Sequence, residues 1–124
     1  MSRFRHLMLF ATSIVVGVAS VAIAAETSKV TVTNRSDWRI DQFFMSPSAS
    51  DDWGNDLLGE KVLDKGSTLT LSEIPCNLWD IRVVDVDGDE CILKGINLCS
   101  ADATWDITSQ GLLECEAESE ESEE

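Results

Sequence analysis

An all-β chain is what the sequence predicts: a small antiparallel β-sandwich of six or seven strands, Ig-like or meander in its connections, braced by disulfides. Three observations lead there. From Ser28 onward apolar residues alternate with period two, and no stretch sustains a helical repeat. Asn-, Asp- and Gly-containing turns separate the runs. Four cysteines stand in a chain of 124 residues, too short to bury more than a modest core without help.

The first predicted strand is Lys29–Thr33, with Val30 and Val32 on one face. Asn34-Arg35-Ser36-Asp37 is a turn, and its match to the glycosylation triplet is accidental in a chain with a bacterial-style leader. Trp38–Met45 follows, with Trp38 and Ile40 inward. A bulge at Gln42 lets both Phe43 and Phe44 be apolar positions. Ser46–Asp56 is a long polar loop, and Glu60–Leu63 reads as a short strand before the turn Asp64–Ser67. Thr68–Leu71, Leu78–Asp85, Glu90–Leu98 and Thr104–Thr108 complete the set.

Asp87-Gly88 is a two-residue hairpin turn, so Val86 pairs with Asp89 and Val84 with Cys91. Followed outward, the same register sets Trp79 against Ile96 and Cys76 against Cys99. Opposed residues lie about 4.5–5.5 Å apart at Cα, within disulfide reach. The expected bridges are Cys76–Cys99 and, by elimination, Cys91–Cys115. A four-thiolate metal site is the competing reading. The spacing contains no Cys-x-x-Cys knuckle, and an exported chain meets oxidising conditions.

Residues 1–24 read as a signal peptide. Arg3, Arg5 and His6 precede an uncharged stretch from Leu7, and Ala22-Ile23-Ala24-Ala25 has the small-residue form that a signal peptidase accepts. A retained anchor is the alternative, and the absence of an aromatic or basic belt at its end favours cleavage after Ala24. The domains are then the leader 1–24, a β-sandwich at 25–113 and a disordered acidic tail at 114–124 composed almost wholly of Glu, Ser and Ala. The expected location is periplasmic or extracellular, with no transmembrane segment in the mature chain.

Charge and composition exclude several functions. The chain carries 23 acidic and 9 basic residues, a net charge of -14. Such acidity opposes nucleic-acid binding. The single histidine, His6, leaves with the leader, which removes His-dependent nucleophilic catalysis and His-ligated metal centres. Carboxylate-only hydrolysis needs a cleft that a domain this small hardly offers, so no enzyme is expected.

Two acidic clusters remain. Asp85-Val86-Asp87-Gly88-Asp89-Glu90 opens like a calcium loop, but an EF-hand would need Gly at position 90 and Glu at position 96, where Glu90 and Ile96 stand. It reads as a turn. Asp51-Asp52-Trp53-Gly54-Asn55-Asp56 packs oxygen ligands around an aromatic in a loop longer than a connection requires. Asp51, Asp52, Asn55 and Asp56 are therefore candidate metal ligands for Ca²⁺, and Trp53 is a candidate stacking platform for a glycan. A solvated loop with Trp53 tucked onto the sandwich edge is the plainer alternative. Trp38, Trp79 and Trp105 read as core.

The run Ser46–Gly59 containing Asp51-Asp52-Trp53-Gly54-Asn55-Asp56, the segment Cys76-Asn-Leu-Trp-Asp-Ile-Arg-Val-Val84, Asp87-Gly88 and Gly95-Ile-Asn-Leu-Cys99 together resemble a group of small exported bacterial all-β proteins of unknown function. The resemblance spans about residues 30–108. It implies a secreted all-β domain with a cysteine pair at Cys76 and Cys99, and it brings no activity with it. Cys91, Cys115 and the Glu-rich tail look like additions to that pattern.

The expected function is binding: a divalent cation, or a cell-surface or glycan component held by the Asp51–Asp56 loop, with the tail attracting loose cations or a basic protein partner. A structural envelope protein with no small ligand is the alternative, its acidity serving solubility alone.

Overall fold

The computed structural model describes residues 14–20, 26–99 and 101–123. Six strands form two three-stranded sheets, and a helix closes the chain: β1 (Thr27–Arg35), β2 (Ile40–Pro47), β3 (Thr68–Pro75), β4 (Leu78–Asp85), β5 (Glu90–Asn97), β6 (Ala103–Thr108) and α1 (Ser109–Glu123). The sheet orders are β3-β1-β6 and β2-β4-β5. Val30, Val32 and Ile107 face Ile40, Phe43, Ile81, Val83 and Cys91 in one shared core. Phe43 and Trp105 meet across it with ring centroids 6.4 Å apart. This is the expected disulfide-braced sandwich, with six strands.

The connections are not a meander. The chain changes sheets at every step except the β4–β5 hairpin. One pairing departs from the antiparallel expectation, since β6 runs parallel to β1, with Val30 opposite Ala103 and Arg35 opposite Thr108. Glu60–Leu63 forms no strand. Two tight turns, Asp56–Gly59 and Leu58–Lys61, occupy that segment, and only Leu63 bridges Ile40.

The bulge expected in β2 is present: the register shifts between Ile40 and Gln42, so Asp41 is the extra residue. It leaves Ile40 and Phe43 buried in the core and turns Phe44 to the opposite face, under the Arg82 guanidinium at 5.2 Å. Trp38, Trp79 and Trp105 are half-buried against the core.

Both disulfides pair as expected, Cys76 with Cys99 and Cys91 with Cys115. The hairpin between them differs from the two-residue turn. Asp85 pairs with Asp89 around three residues, Gly88 adopts φ 84°, and its N–H donates to the Asp85 carbonyl at 3.0 Å. This is the three-residue loop with glycine in the left-handed position. Val83, not Val84, therefore opposes Cys91. A second bulge restores the outer register: Lys94 and Gly95 lie between the partners of Trp79 and Ile81, with Gly95 at φ 67°. Trp79 then faces Ile96 as predicted.

The segment expected as a disordered tail is helical as far as Glu123. Gly111 N–H donates to Thr108 Oγ1 at 3.1 Å, which caps the helix start. Leu112, Cys115, Glu116 and Ser119 form one stripe facing the sandwich, and the other side is solvated acid. Ser119 Oγ accepts the Ile92 N–H at 2.9 Å, so α1 covers the free edge of β5. The predicted leader and its cut after Ala24 lie largely outside the described residues; 14–20 are exposed and without regular structure. No helix among the described residues is long and apolar enough to cross a membrane.

In β1, Asn34 is fully buried, so its glycosylation triplet is inaccessible. Its Nδ2 donates to the carbonyls of Trp38 (2.8 Å) and Leu63 (2.9 Å), while its Oδ1 accepts from Ser36 N–H (3.0 Å) and Ser36 Oγ (2.7 Å). One amide thus ties β1, the β1–β2 turn and the long loop together.

Candidate functional site

The predicted ligands of the long loop have separate tasks. Asp56 Oδ1 accepts the N–H of Phe43 (2.9 Å) and of Leu58 (3.0 Å), which pins the loop to β2 beside its bulge. Asp52 Oδ1 accepts the Gly54 N–H at 2.9 Å, closing a local turn in which Gly54 takes φ 69°. Asp51 and Asn55 are exposed. Asp51, Asp52 and Asp56 do not gather their oxygens into a common ligand group; among the described residues that group is Asp85, Asp87 and Asp89.

Trp53 is half-buried rather than free, and with Asp51 it walls a cleft of about 660 Å³. Asp80 and Lys94 come from β4 and β5, and Glu118 and Ser122 from α1. Alternation puts these sheet residues on the outer face, since Trp79, Ile81 and Leu93 beside them pack on the core. Asp80 Oδ1 accepts the Gly95 N–H at 3.0 Å and the Ser48 hydroxyl at 2.7 Å. The Ser48 hydroxyl chiefly, with the Gly95 amide and Lys94, holds the Asp80 carboxyl below its ordinary range against the cost of desolvation. The cleft thus brings together an indole ring, a firmly ionised carboxylate and an ammonium. Sequence reading identified Trp53 and Asp51 but missed the α1 wall, because that wall was taken for a tail.

A second group of carboxylates forms where the β4–β5 turn meets α1. Asp85 is buried, and its Oδ1 accepts the N–H of Asp87 (2.9 Å) and of Asp89 (3.1 Å). The ligand oxygens of Asp85, Asp87 and Asp89 lie within 4.8 Å of one another. Glu116 of α1 packs against them at 7% exposure, and its Oε1 has no hydrogen-bond partner. Burial first, then the carboxylates of Asp85 and Asp89 in the turn and Glu120 on the helix, push the Glu116 carboxyl from 4.5 up to about 8. The ion pairs among the described residues (Arg35–Asp106, Arg39–Asp41, Lys65–Asp37 and Arg82–Glu90) do not include these four acids.

A raised folded-state value means that the native state holds the proton more tightly than the unfolded chain. Its stabilising contribution is complete below about pH 4.5 and is lost as pH rises through about 8. In chelator, thermal melting should therefore drop between pH 5 and pH 8.5, and Glu116→Gln should flatten that slope. An equally steep slope in the variant would contradict this assignment.

No protein-family model, curated protein or solved structure matches the chain.

Proposed function

We propose that the protein is an exported, non-catalytic binding module that takes a hydroxyl-rich, glycan-like ligand in the cleft between the Trp53 loop and α1. The carrying observation is convergence. Four separate stretches of chain meet around one cleft with an indole ring in its wall. Its volume falls within the range of small-ligand sites, about 300–1,000 Å³. An indole face accepts the C–H face of a sugar, and Asp51, Asp80 and Glu118 offer acceptors to ring hydroxyls. The two disulfides support an oxidising, extracytoplasmic setting.

Titration of the mature chain with solubilised cell-surface polysaccharides, followed by tryptophan fluorescence, tests this reading. Trp53→Ala should weaken binding at least tenfold, about 1.4 kcal/mol, with unchanged melting temperature. Binding that ignores Trp53, or no response to any polysaccharide, would reject the cleft and favour a structural envelope role.

A further inference from the structure

We infer that the β4–β5 turn and α1 together form a divalent-cation site of the calcium class, with Asp85, Asp87 and Asp89 supplying oxygens from the turn and Glu116 supplying one from the helix. This inference is independent of the cleft. Alternation places the three aspartates at every second residue of a tight loop, and the two backbone amides bonded to Asp85 Oδ1 orient that carboxylate. Oxygens gathered within 4.8 Å match the span of a coordination shell with metal–oxygen distances of about 2.3–2.6 Å.

The second observation is Glu116. Its Oε1 is buried without a partner, and its neighbours at this spot are the acids Asp85, Asp89 and Glu120. A buried polar atom with no partner is costly, and a proton on the pair satisfies only part of the deficit. Glu116 stands beside Asp85 and outside the three-aspartate group, and a hard cation there would draw its carboxylate in and neutralise all four acids. An adjoining hollow of about 230 Å³, lined by Gly88, Asp89, Glu90, Ser119 and Glu120, leaves room for water to complete a shell of six to eight oxygens. The Gly and Glu that an EF-hand needs at positions 90 and 96 are dispensable here, because the helix delivers its glutamate from outside the loop. A bound ion would fasten α1 to the hairpin in addition to Cys91–Cys115 and the Ser119–Ile92 hydrogen bond.

The experiment is calcium titration of the full chain, disulfides intact and stripped with chelator, by calorimetry and thermal melting at pH 7.5. One saturable site per chain is expected, with Kd at or below about 1 mM, as in extracellular calcium modules, and with a rise in melting temperature. Asp87→Asn and Glu116→Gln should each weaken binding at least tenfold, and Asp52→Asn should leave it unchanged. Asp87 is exposed, so the Asp87→Asn arm decides even if Glu116→Gln perturbs folding. Absence of saturation at about 10 mM, or many weak equivalents that ignore both substitutions, overturns the inference.

Discussion

Replacing Asn34 by alanine is expected to lower the unfolding free energy by about 3 kcal/mol, because at least one buried group loses its partner and a cavity opens in place of the amide. The Ser36 N–H has its bond to Asn34 Oδ1, while the Trp38 and Leu63 carbonyls keep other donors, from Ser36 Oγ and Ile40 N–H. Asn34→Asp should cost at least as much. A carboxylate cannot donate to two carbonyls, and it brings an unpaired charge into a fully buried position. Urea unfolding followed by tryptophan fluorescence measures both. A loss under about 1 kcal/mol in both variants, the worth of one ordinary hydrogen bond, would mean that the β1–β2 turn and the long loop hold together without this amide.

The paired substitution Cys91→Ala, Cys115→Ala is expected to release α1 from the sandwich. In the chain-entropy model, a bridge across a sequence separation of 24 contributes about 3–4 kcal/mol. The helix has little else to sustain it. It lacks acids in its first turn and bases in its last, so its glutamates oppose the helix dipole. A free helix of 15 residues is marginal even with better composition. Ellipticity at 222 nm should fall while the sandwich, held by Cys76–Cys99, keeps its cooperative unfolding transition. Unchanged helicity in the variant would show that Leu112, Glu116 and Ser119 suffice to dock it.

The strands were legible because their alternation is strong, with Val30 and Val32 and Ile81 and Val83 in the core, and because the paired phenylalanines gave away the bulge that lets Ile40 and Phe43 share a face. The Cys76–Cys99 pairing was legible although the hairpin register beside the turn was not. The three-residue loop at Val86–Gly88 shifts the inner pairs by one, and the bulge at Gly95 shifts the outer pairs back. Both irregularities depend on a glycine in the left-handed region, and alternation alone carries no sign of them. The helix escaped for a different reason. Two of its four inward residues, Glu116 and Ser119, are polar, so a search for apolar periodicity finds only Leu112 and Cys115. Its signal was the expected Cys91–Cys115 link, which requires ordered chain on both sides of Cys115. Of the candidate site, Trp53 and Asp51 were visible as an oxygen-rich aromatic loop. The meeting of Asp85 with Glu116 was not, because tertiary packing brings together residues 31 positions apart.

The parallel pairing of β1 with β6 has a consequence for biogenesis. The middle strand of that sheet comes from residues 27–35 and one of its neighbours from residues 103–108. No N-terminal fragment can complete the layer, so a nascent chain stays without it until Thr108 has emerged. Topology therefore postpones completion of this layer to the last stage of folding, after every other strand is available.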